Sequence, residues 1–143
     1  MENLQKLAEE LGITAYLSFK GFVPNNSIAK HYASACCVVV PSLILPSGET
    51  EGMPVVILES LLSSTPVVAS DVGGIRDIIV DGFNGFLVEP GNANKLATAI
   101  GKVLADKENI LRKNAFESCH KYYWSNISDI YVKGMNERIT EDL

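Results

Sequence analysis

The sequence has 143 residues, the length of one ordinary domain, and 47% of them are hydrophobic while 20% are charged. This composition is typical of a globular protein and excludes a disordered tail, a collagen-like repeat and a solvated coiled coil. The net charge is −5 and no basic run is present, so no nucleic-acid partner is expected. The apolar runs are far shorter than the ~20 residues that span a bilayer, and the first residues are unlike a signal peptide. The sequence therefore predicts one soluble, cytoplasmic domain over residues 1–143.

Cysteine and histidine show no spacing typical of a metal or redox site. Cys36 and Cys37 are adjacent, and the total of three cysteines is odd and contains no C-x-x-C pair. His31 and His120 are isolated, without a second ligand one helical turn away. Buried, unreactive thiols and no metal site are expected.

The first forty residues predict a helix, a strand, a helix and a strand. Apolar residues recur at helical spacing up to Leu11, and Gly12 follows as a stop signal. Residues 15–19 form a short predicted strand. A second helix, which begins near Asn25, leads into residues 36–40, whose uninterrupted apolar run is typical of a strand covered on both faces.

The middle of the chain contains the loop where a ligand is expected. Residues 41–51 leave the end of the strand at 36–40, and doubly wound sheets bind their ligands at such strand ends. A helix is predicted from about Pro54, because proline is favoured at the first helical position. Residues 66–69 predict a buried strand, and residues 73–79 a turn with a short helix. A last strand is predicted at 86–88 after two turn signals.

Three further helices follow Gly91 in the sequence. The first carries apolar residues from Leu96 to Leu104 on one face, the second runs from about Glu108 to His120, and the last begins near Ser125. Strands that alternate with helices indicate an α/β fold with a mostly parallel sheet.

The start of the helix at Pro54 has the chemistry of an anion site. The backbone N–H groups of the first helical turn have no partner inside a helix, and here they belong to Gly52, Met53 and Val55. They point beyond the ends of the strands. Such a helix end suits a phosphate.

Two carboxylates, Glu51 and Glu59, flank this helix start at a separation of eight residues. Carboxylates accept hydrogen bonds from hydroxyls, so the pair around an anion site suits a sugar nucleotide. The alternative is that Glu51 is a solvated loop residue and that Glu59 lies with Ser60, Ser63 and Ser64 on an exposed stripe. Spacing alone does not decide between these interpretations. Gly73-Gly74 is interpreted as a tight turn, because the G-x-G-x-x-G pattern is absent.

A series of short motifs carries a family resemblance over nearly the whole chain. In order, these motifs are Pro41-Ser42, Glu51-Gly52-Met53-Pro54, Glu59, Thr65-Pro66-Val67-Val68-Ala69-Ser70, Gly73-Gly74, Asp81-Gly82, Asn84-Gly85-Phe86-Leu87-Val88 and Pro90. Together they resemble the carboxyl-terminal, donor-binding domain of retaining family-4 glycosyltransferases, which have two Rossmann-like domains. The resemblance implies a Rossmann-like α/β fold with a mostly parallel sheet flanked by helices.

The resemblance also implies roles for individual residues. Glu51 would approach the hydroxyls of the donor sugar and is the candidate catalytic residue, while Glu59 would hold the ribose of the nucleotide. The backbone from Gly52 through Met53 and Pro54 to Val55 would contact the diphosphate. Phe22 and Val23, with the following proline, would line the base.

The chain departs from the family at its amino-terminal side. The family supplies an Arg and a Lys for the diphosphate from the loop after the domain's first strand, and the first strands of that domain are missing here. The amino-terminal Rossmann domain is missing as well. We therefore expect a fragment without transferase activity of its own. The family's sheet would leave two open edges, between residues 15–19 and residues 36–40, which strand repositioning, dimerisation or an exchanged element could close.

The function that the resemblance implies is transfer of a sugar from a nucleoside-diphosphate donor with retention of configuration. The expected donor is a UDP-N-acetylhexosamine, and the expected acceptor is a lipid-linked saccharide of bacterial surface polysaccharide such as O-antigen. The intact enzyme would be peripheral on the inner face of the cytoplasmic membrane and would use no cofactor or metal. Two alternatives remain: a UDP-N-acetylglucosamine 2-epimerase-like domain, and a non-catalytic nucleotide-binding module.

Overall fold

The computed structural model describes residues 2–44, 46, 47, 52 and 54–141. Within these residues the strands are β1 (Val38–Val40), β2 (Val67–Ser70) and β3 (Gly85–Val88). The α-helices are α1 (Glu2–Glu10), α2 (Asn25–Ser34), α3 (Val55–Leu62), α4 (Ala93–Leu104), α5 (Ile110–Ser118) and α6 (Trp124–Glu141), and 3-10 helices occupy Thr14–Tyr16, Gly73–Asp77 and His120–Tyr122. The predicted Rossmann-like α/β fold with a parallel sheet is confirmed.

The three strands form one parallel sheet in the order β1-β2-β3. Val68 in the central strand lies opposite Val39 on one side and Phe86 on the other. Helix α3 connects β1 with β2, and the 3-10 helix Gly73–Asp77 lies between β2 and β3. Because a crossover helix returns the chain to the amino end of the next parallel strand, α3 begins at the carboxyl edge of the sheet. Helix α2 leads directly into β1 and begins on that same side.

Side chains of β2 alternate between two hydrophobic clusters on opposite faces of the sheet. Val67 and Ala69 pack in the larger cluster with Ile57 and Leu61 of α3. Val68 points to the other face, where the cluster contains α4 residues such as Val103. All three β2 residues have no exposed surface, which explains why this strand is apolar without interruption.

The outer edge of β3 is closed by the turn that precedes it. Gly82 N donates to the Gly85 carbonyl at 2.8 Å, and Leu87 N donates to Asp81 Oδ1 at 2.9 Å. The buried Asn84 fixes the same turn, because its Oδ1 accepts from Val80 N at 2.8 Å. These local hydrogen bonds occupy edge groups of β3 that would otherwise be open to another strand.

The strand predicted at residues 15–19 is wrong. Thr14–Tyr16 is a 3-10 helix, and the described residues that follow up to Pro24 belong to no sheet. Leu17 and Phe19 remain 45% and 40% exposed. A strand requires a hydrogen-bonding neighbour, and the sheet that the structure describes ends at β1 without reaching this segment.

The carboxyl-terminal helix α6 exposes large apolar side chains. Trp124 is 84% exposed, and Ile130 and Tyr131 are 68% and 69% exposed. No helix in the described part of the chain has both the length and the apolar character that crossing a membrane requires.

Candidate functional site

The first site element is the amino-terminal end of α3. Pro54 has extended backbone angles, φ −65° and ψ 119°, so it is the N-cap and the helix begins at Val55. The helix predicted from about Pro54 is confirmed and begins at Val55, because the ψ of Pro54 keeps that residue outside the helix. In the first turn of α3, Ile57 N donates a hydrogen bond to the carbonyl of the N-cap Pro54 at 3.1 Å. The amides of Val55 and Val56 precede that bond and have no acceptor within the helix, which is the arrangement that favours an anion at a helix start.

A glycine contact fixes the backbone in front of α3. Gly74 N donates to the Gly52 carbonyl at 2.8 Å. A Cβ atom on Gly74 would lie 2.7 Å from that same carbonyl oxygen, so only glycine permits this approach. The sequence interpretation of Gly73-Gly74 as a tight turn missed this contact. The remaining predicted residues of this loop, Glu51 and Met53, lie outside the described residues.

Glu59 lies in the second turn of α3 and is half-buried. Its Oε2 accepts a hydrogen bond of 3.0 Å from the Tyr32 hydroxyl of α2, 27 residues earlier in the chain. Burial raises the pKa of Tyr32, and the hydrogen bond to Glu59 and its negative charge raise it further. The phenol therefore keeps its proton at neutral pH and acts as the donor.

The predicted stripe of exposed serines beside Glu59 is wrong at Ser60. This side chain is fully buried, and its Oγ donates to the Thr65 carbonyl at 2.9 Å, which closes the turn after α3. Ser63 is half-buried, and its Oγ donates to the Glu59 carbonyl at 2.8 Å. Glu59 is thus set in a partly buried polar environment and is not a member of a solvated helix face.

Phe22 and Val23 lie immediately before the start of α2. Phe22 is 90% exposed, and Val23 is half-buried. The carboxyl-terminal turns of α2 and the end of α3 meet where Thr65 Oγ1 donates to the Tyr32 carbonyl at 2.8 Å. Because both helices begin on the carboxyl side of the sheet, Phe22 and Val23 lie on the same side of the molecule as the start of α3.

A cleft of about 210 Å³ lies at the carboxyl ends of all three strands. Pro41 follows β1, Ser70 ends β2 and Val88 ends β3, and each of them lines this cleft. A larger cleft of about 370 Å³ lies between β3 and α4, away from the ends of β1 and β2, and neither cleft is lined by Glu59, Val55 or Phe22. The smaller cleft is therefore the one that coincides with the edge where parallel sheets bind ligands.

Metal-ligating side chains do not cluster in the described residues. No group of three or more His, Cys, Asp or Glu there is close enough to hold a metal ion. The candidate site groups that the structure describes are the backbone amides at the start of α3, the Glu59 carboxylate and the Tyr32 phenol.

The sequence matches a known protein family and several known proteins. The family model described as "Glycosyl transferases group 1" matches residues 1–118. An uncharacterized glycosyltransferase of Methanocaldococcus jannaschii is 37% identical over 128 residues, which cover 87% of this chain and 31% of that protein. A GDP-mannose-dependent alpha-(1-6)-phosphatidylinositol monomannoside mannosyltransferase of Mycolicibacterium smegmatis is 32% identical over 107 residues, 74% of this chain and 28% of that protein.

A solved structure shares the same fold. The crystal structure of Anabaena HepE in complex with UDP superposes with a TM-score of 0.82 and 25% sequence identity, covering 95% of this chain and 36% of that one. The present chain thus spans about a third of the length of the proteins it resembles.

Proposed function

The chain belongs to the group 1 glycosyl transferases, and from this we propose that it is the nucleotide-sugar donor-binding domain of a retaining glycosyltransferase. One observation carries the proposal: the half-buried Glu59 carboxylate and the amides at the start of α3 belong to the same helix at the carboxyl edge of a parallel sheet. Hydroxyls and a diphosphate are the groups that these two elements recognise.

In this proposal each part of the site binds one part of the donor. The first-turn amides of α3 hold the diphosphate, and Glu59 accepts from the ribose hydroxyls. Glu51 approaches the hydroxyls of the sugar, and Phe22 and Val23 line the base. Catalysis rests on positioning the donor and on stabilising the departing diphosphate, so the proposal invokes no cofactor or metal ion.

We propose UDP as the nucleotide. The HepE structure contains UDP, which supports this choice, while the Mycolicibacterium relative is GDP-mannose-dependent. From the motif resemblance we propose that the donor sugar is an N-acetylhexosamine and that the acceptor is a lipid-linked saccharide of O-antigen synthesis. The same resemblance supports a peripheral position of the intact enzyme at the inner membrane face. An amino-terminal Rossmann domain is the proposed partner of this domain, and the share of about a third of each relative's length supports it.

Titration of the chain with UDP and with GDP, followed by calorimetry, tests the donor-binding role. Glu59→Gln keeps the shape of the side chain and removes its charge. Because hydrogen bonds to charged groups contribute about 1.5–3 kcal/mol, we expect nucleotide binding to weaken roughly 10- to 100-fold. The matched control is Glu117→Gln, which changes an exposed glutamate of α5 and is expected to leave binding unchanged.

Equal nucleotide affinity in the wild type and in Glu59→Gln would contradict the role given to Glu59. If the wild-type chain binds neither UDP nor GDP, the donor-binding function itself is contradicted. The chain alone is expected to bind without transferring sugar, which a radiolabelled transfer assay measures directly.

A further inference from the structure

The hydrogen bond between Tyr32 and Glu59 connects a residue without an assigned role to the carboxylate of the proposed ribose site. Among the described residues, the Tyr32 hydroxyl is the one hydrogen-bond partner of the Glu59 side chain. An ionised carboxylate has about four acceptor positions on its two oxygens. Tyr32 takes one position on Oε2 and leaves the others for the hydroxyls of a ligand.

The backbone around Tyr32 is held from two other elements of the fold. Thr65 Oγ1, after α3, donates to the Tyr32 carbonyl at 2.8 Å. Arg112 of α5 donates from its two terminal nitrogens, at 2.7 Å to the Ala35 carbonyl and at 3.0 Å to the Ala33 carbonyl. The Tyr32 carbonyl also accepts from the backbone N–H of Ala35, the C-cap of α2, at 2.9 Å, so side-chain and backbone donors together hold this helix end. The phenol therefore projects toward Glu59 from a fixed helix end.

We propose that Tyr32 is a positioning residue that holds the Glu59 carboxylate in the orientation in which it accepts hydrogen bonds from the ribose hydroxyls of a nucleoside diphosphate. The proposal rests on the function proposed above for Glu59. A glutamate has three rotatable side-chain bonds, and ordering them on binding costs affinity unless they are already ordered. The hydrogen bond from Tyr32 holds the Glu59 side chain in one conformation before the ligand binds.

A purely structural role for the same hydrogen bond makes a different prediction. If the bond only joined α2 to α3, its loss would affect all nucleotides alike, whatever hydroxyls their sugar carries. A positioning role acts only on ligands that have the hydroxyls to bind. The ratio of affinities for UDP and for 2′,3′-dideoxyuridine diphosphate separates these roles, because a general loss of stability cancels in the ratio.

The experiment measures both nucleotides by calorimetry on the wild-type chain, on Tyr32→Phe and on the control Tyr131→Phe, which changes a tyrosine that is 69% exposed in α6. We expect Tyr32→Phe to weaken UDP binding about fivefold, the value of one ordinary hydrogen bond, and to leave the dideoxy nucleotide unchanged. In a Glu59→Ala background the same tyrosine substitution is expected to have no further effect. If GDP is the tighter ligand of the wild type, the guanosine pair replaces the uridine pair.

Three results would overturn the proposal. An equal loss for both nucleotides assigns Tyr32 a structural role, and no loss for either shows that Glu59 is oriented without it. Both results leave the donor-binding function intact, provided that the wild type prefers UDP to the dideoxy nucleotide. A wild-type chain that binds neither UDP nor GDP would overturn the proposed function as well.

Discussion

The two edge strands of the sheet, β1 and β3, differ in what lies beside their outer edges. At β3 the preceding turn folds back and fills the edge, with Asp81 Oδ1 accepting from Leu87 N and Gly82 N donating to Gly85. At β1 no further strand pairs with the outer edge in the described residues, and the strand predicted at residues 15–19, beyond a gap in the sheet, is replaced by the 3-10 helix Thr14–Tyr16 and residues that belong to no sheet. An edge that is closed within six residues depends only on local sequence. An edge that needs a distant strand does not form from local preference alone.

The difference between the edges extends to the packing around them. Gly85 at the start of β3 touches the central strand so closely that no side chain fits, whereas Val39 of β1 is 37% exposed. Substitution of Gly85 should therefore be costly, and groups beside β1 should be accessible. Three measurements test this contrast.

The largest effect is expected at Gly85. A Cβ atom there would lie 2.0 Å from the Val67 carbonyl oxygen of the central strand, which cannot move without breaking the sheet. Gly85→Ala should lower the free energy of unfolding by about 3 kcal/mol or more, measured by urea denaturation. Gly101→Ala in α4 is the control, because its Cβ meets no atom within 4 Å, and it should raise stability by up to ~1 kcal/mol. Equal effects of the two substitutions would contradict the close contact.

A moderate effect is expected at Asp81. Asp81→Ala removes the acceptor of Leu87 N and should cost about 1 kcal/mol, because the edge amide then turns to solvent or to another chain. Asp81→Asn keeps the side-chain oxygen and should retain most of the stability. Asp129→Ala in the exposed face of α6 is the second control. The interpretation of β3 as a closed edge fails if Asp81→Ala and Asp129→Ala behave alike in urea denaturation and in sedimentation.

The smallest effect concerns the reactivity of two thiols and leaves the fold intact. Cys36 is exposed two residues before β1, while Cys119 is buried in the core against α3. Burial raises the pKa of Cys119 to about 11, although the nearby Lys121 opposes the shift. At pH 8 a disulfide reagent should modify Cys36 and spare Cys119 until urea unfolds the chain, as mass spectrometry would show. Rapid labelling of Cys119 in the folded chain would contradict the closed core.

The same thiol gives a pH dependence with a defined sign. Below its ordinary pKa of 9.0 Cys119 is neutral in both the folded and the unfolded chain, so it does not affect stability there. Between pH 9 and about 11 only the unfolded chain ionises, so the free energy of unfolding should fall as the pH rises.

The elements that were predicted correctly are those with local signals. Apolar runs correctly predicted β2 and β3, and helical periodicity correctly predicted α4. In each of these elements the spacing of the apolar residues matches the face that packs in the hydrophobic core. The strand at residues 15–19 was wrong because its formation depends on a pairing partner rather than on its own composition. The helix predicted from about Pro54 begins at Val55, since proline fixes φ but not ψ.

The candidate site was predictable only in its helix and its carboxylate. Placing Glu59 on α3 followed from the sequence, but its partner Tyr32 is 27 residues away and belongs to another helix. The backbone contact between Gly52 and Gly74 likewise joins the segment before α3 to the 3-10 helix that follows β2. The residue pattern of a single element cannot predict such contacts, because they form only when the folded sheet brings distant connecting segments together.

The hydrogen bonds from Arg112 to α2 also set an order of events during synthesis. Arg112 follows Ala35 by 77 residues and Ala33 by 79. A ribosome that adds ~5–20 residues per second needs roughly 4–15 s to make that stretch. During that interval the last turn of α2, which carries Tyr32, has no guanidinium to hold its carbonyls. The full set of hydrogen bonds at the end of α2 is thus completed only after Arg112 of α5 has been translated.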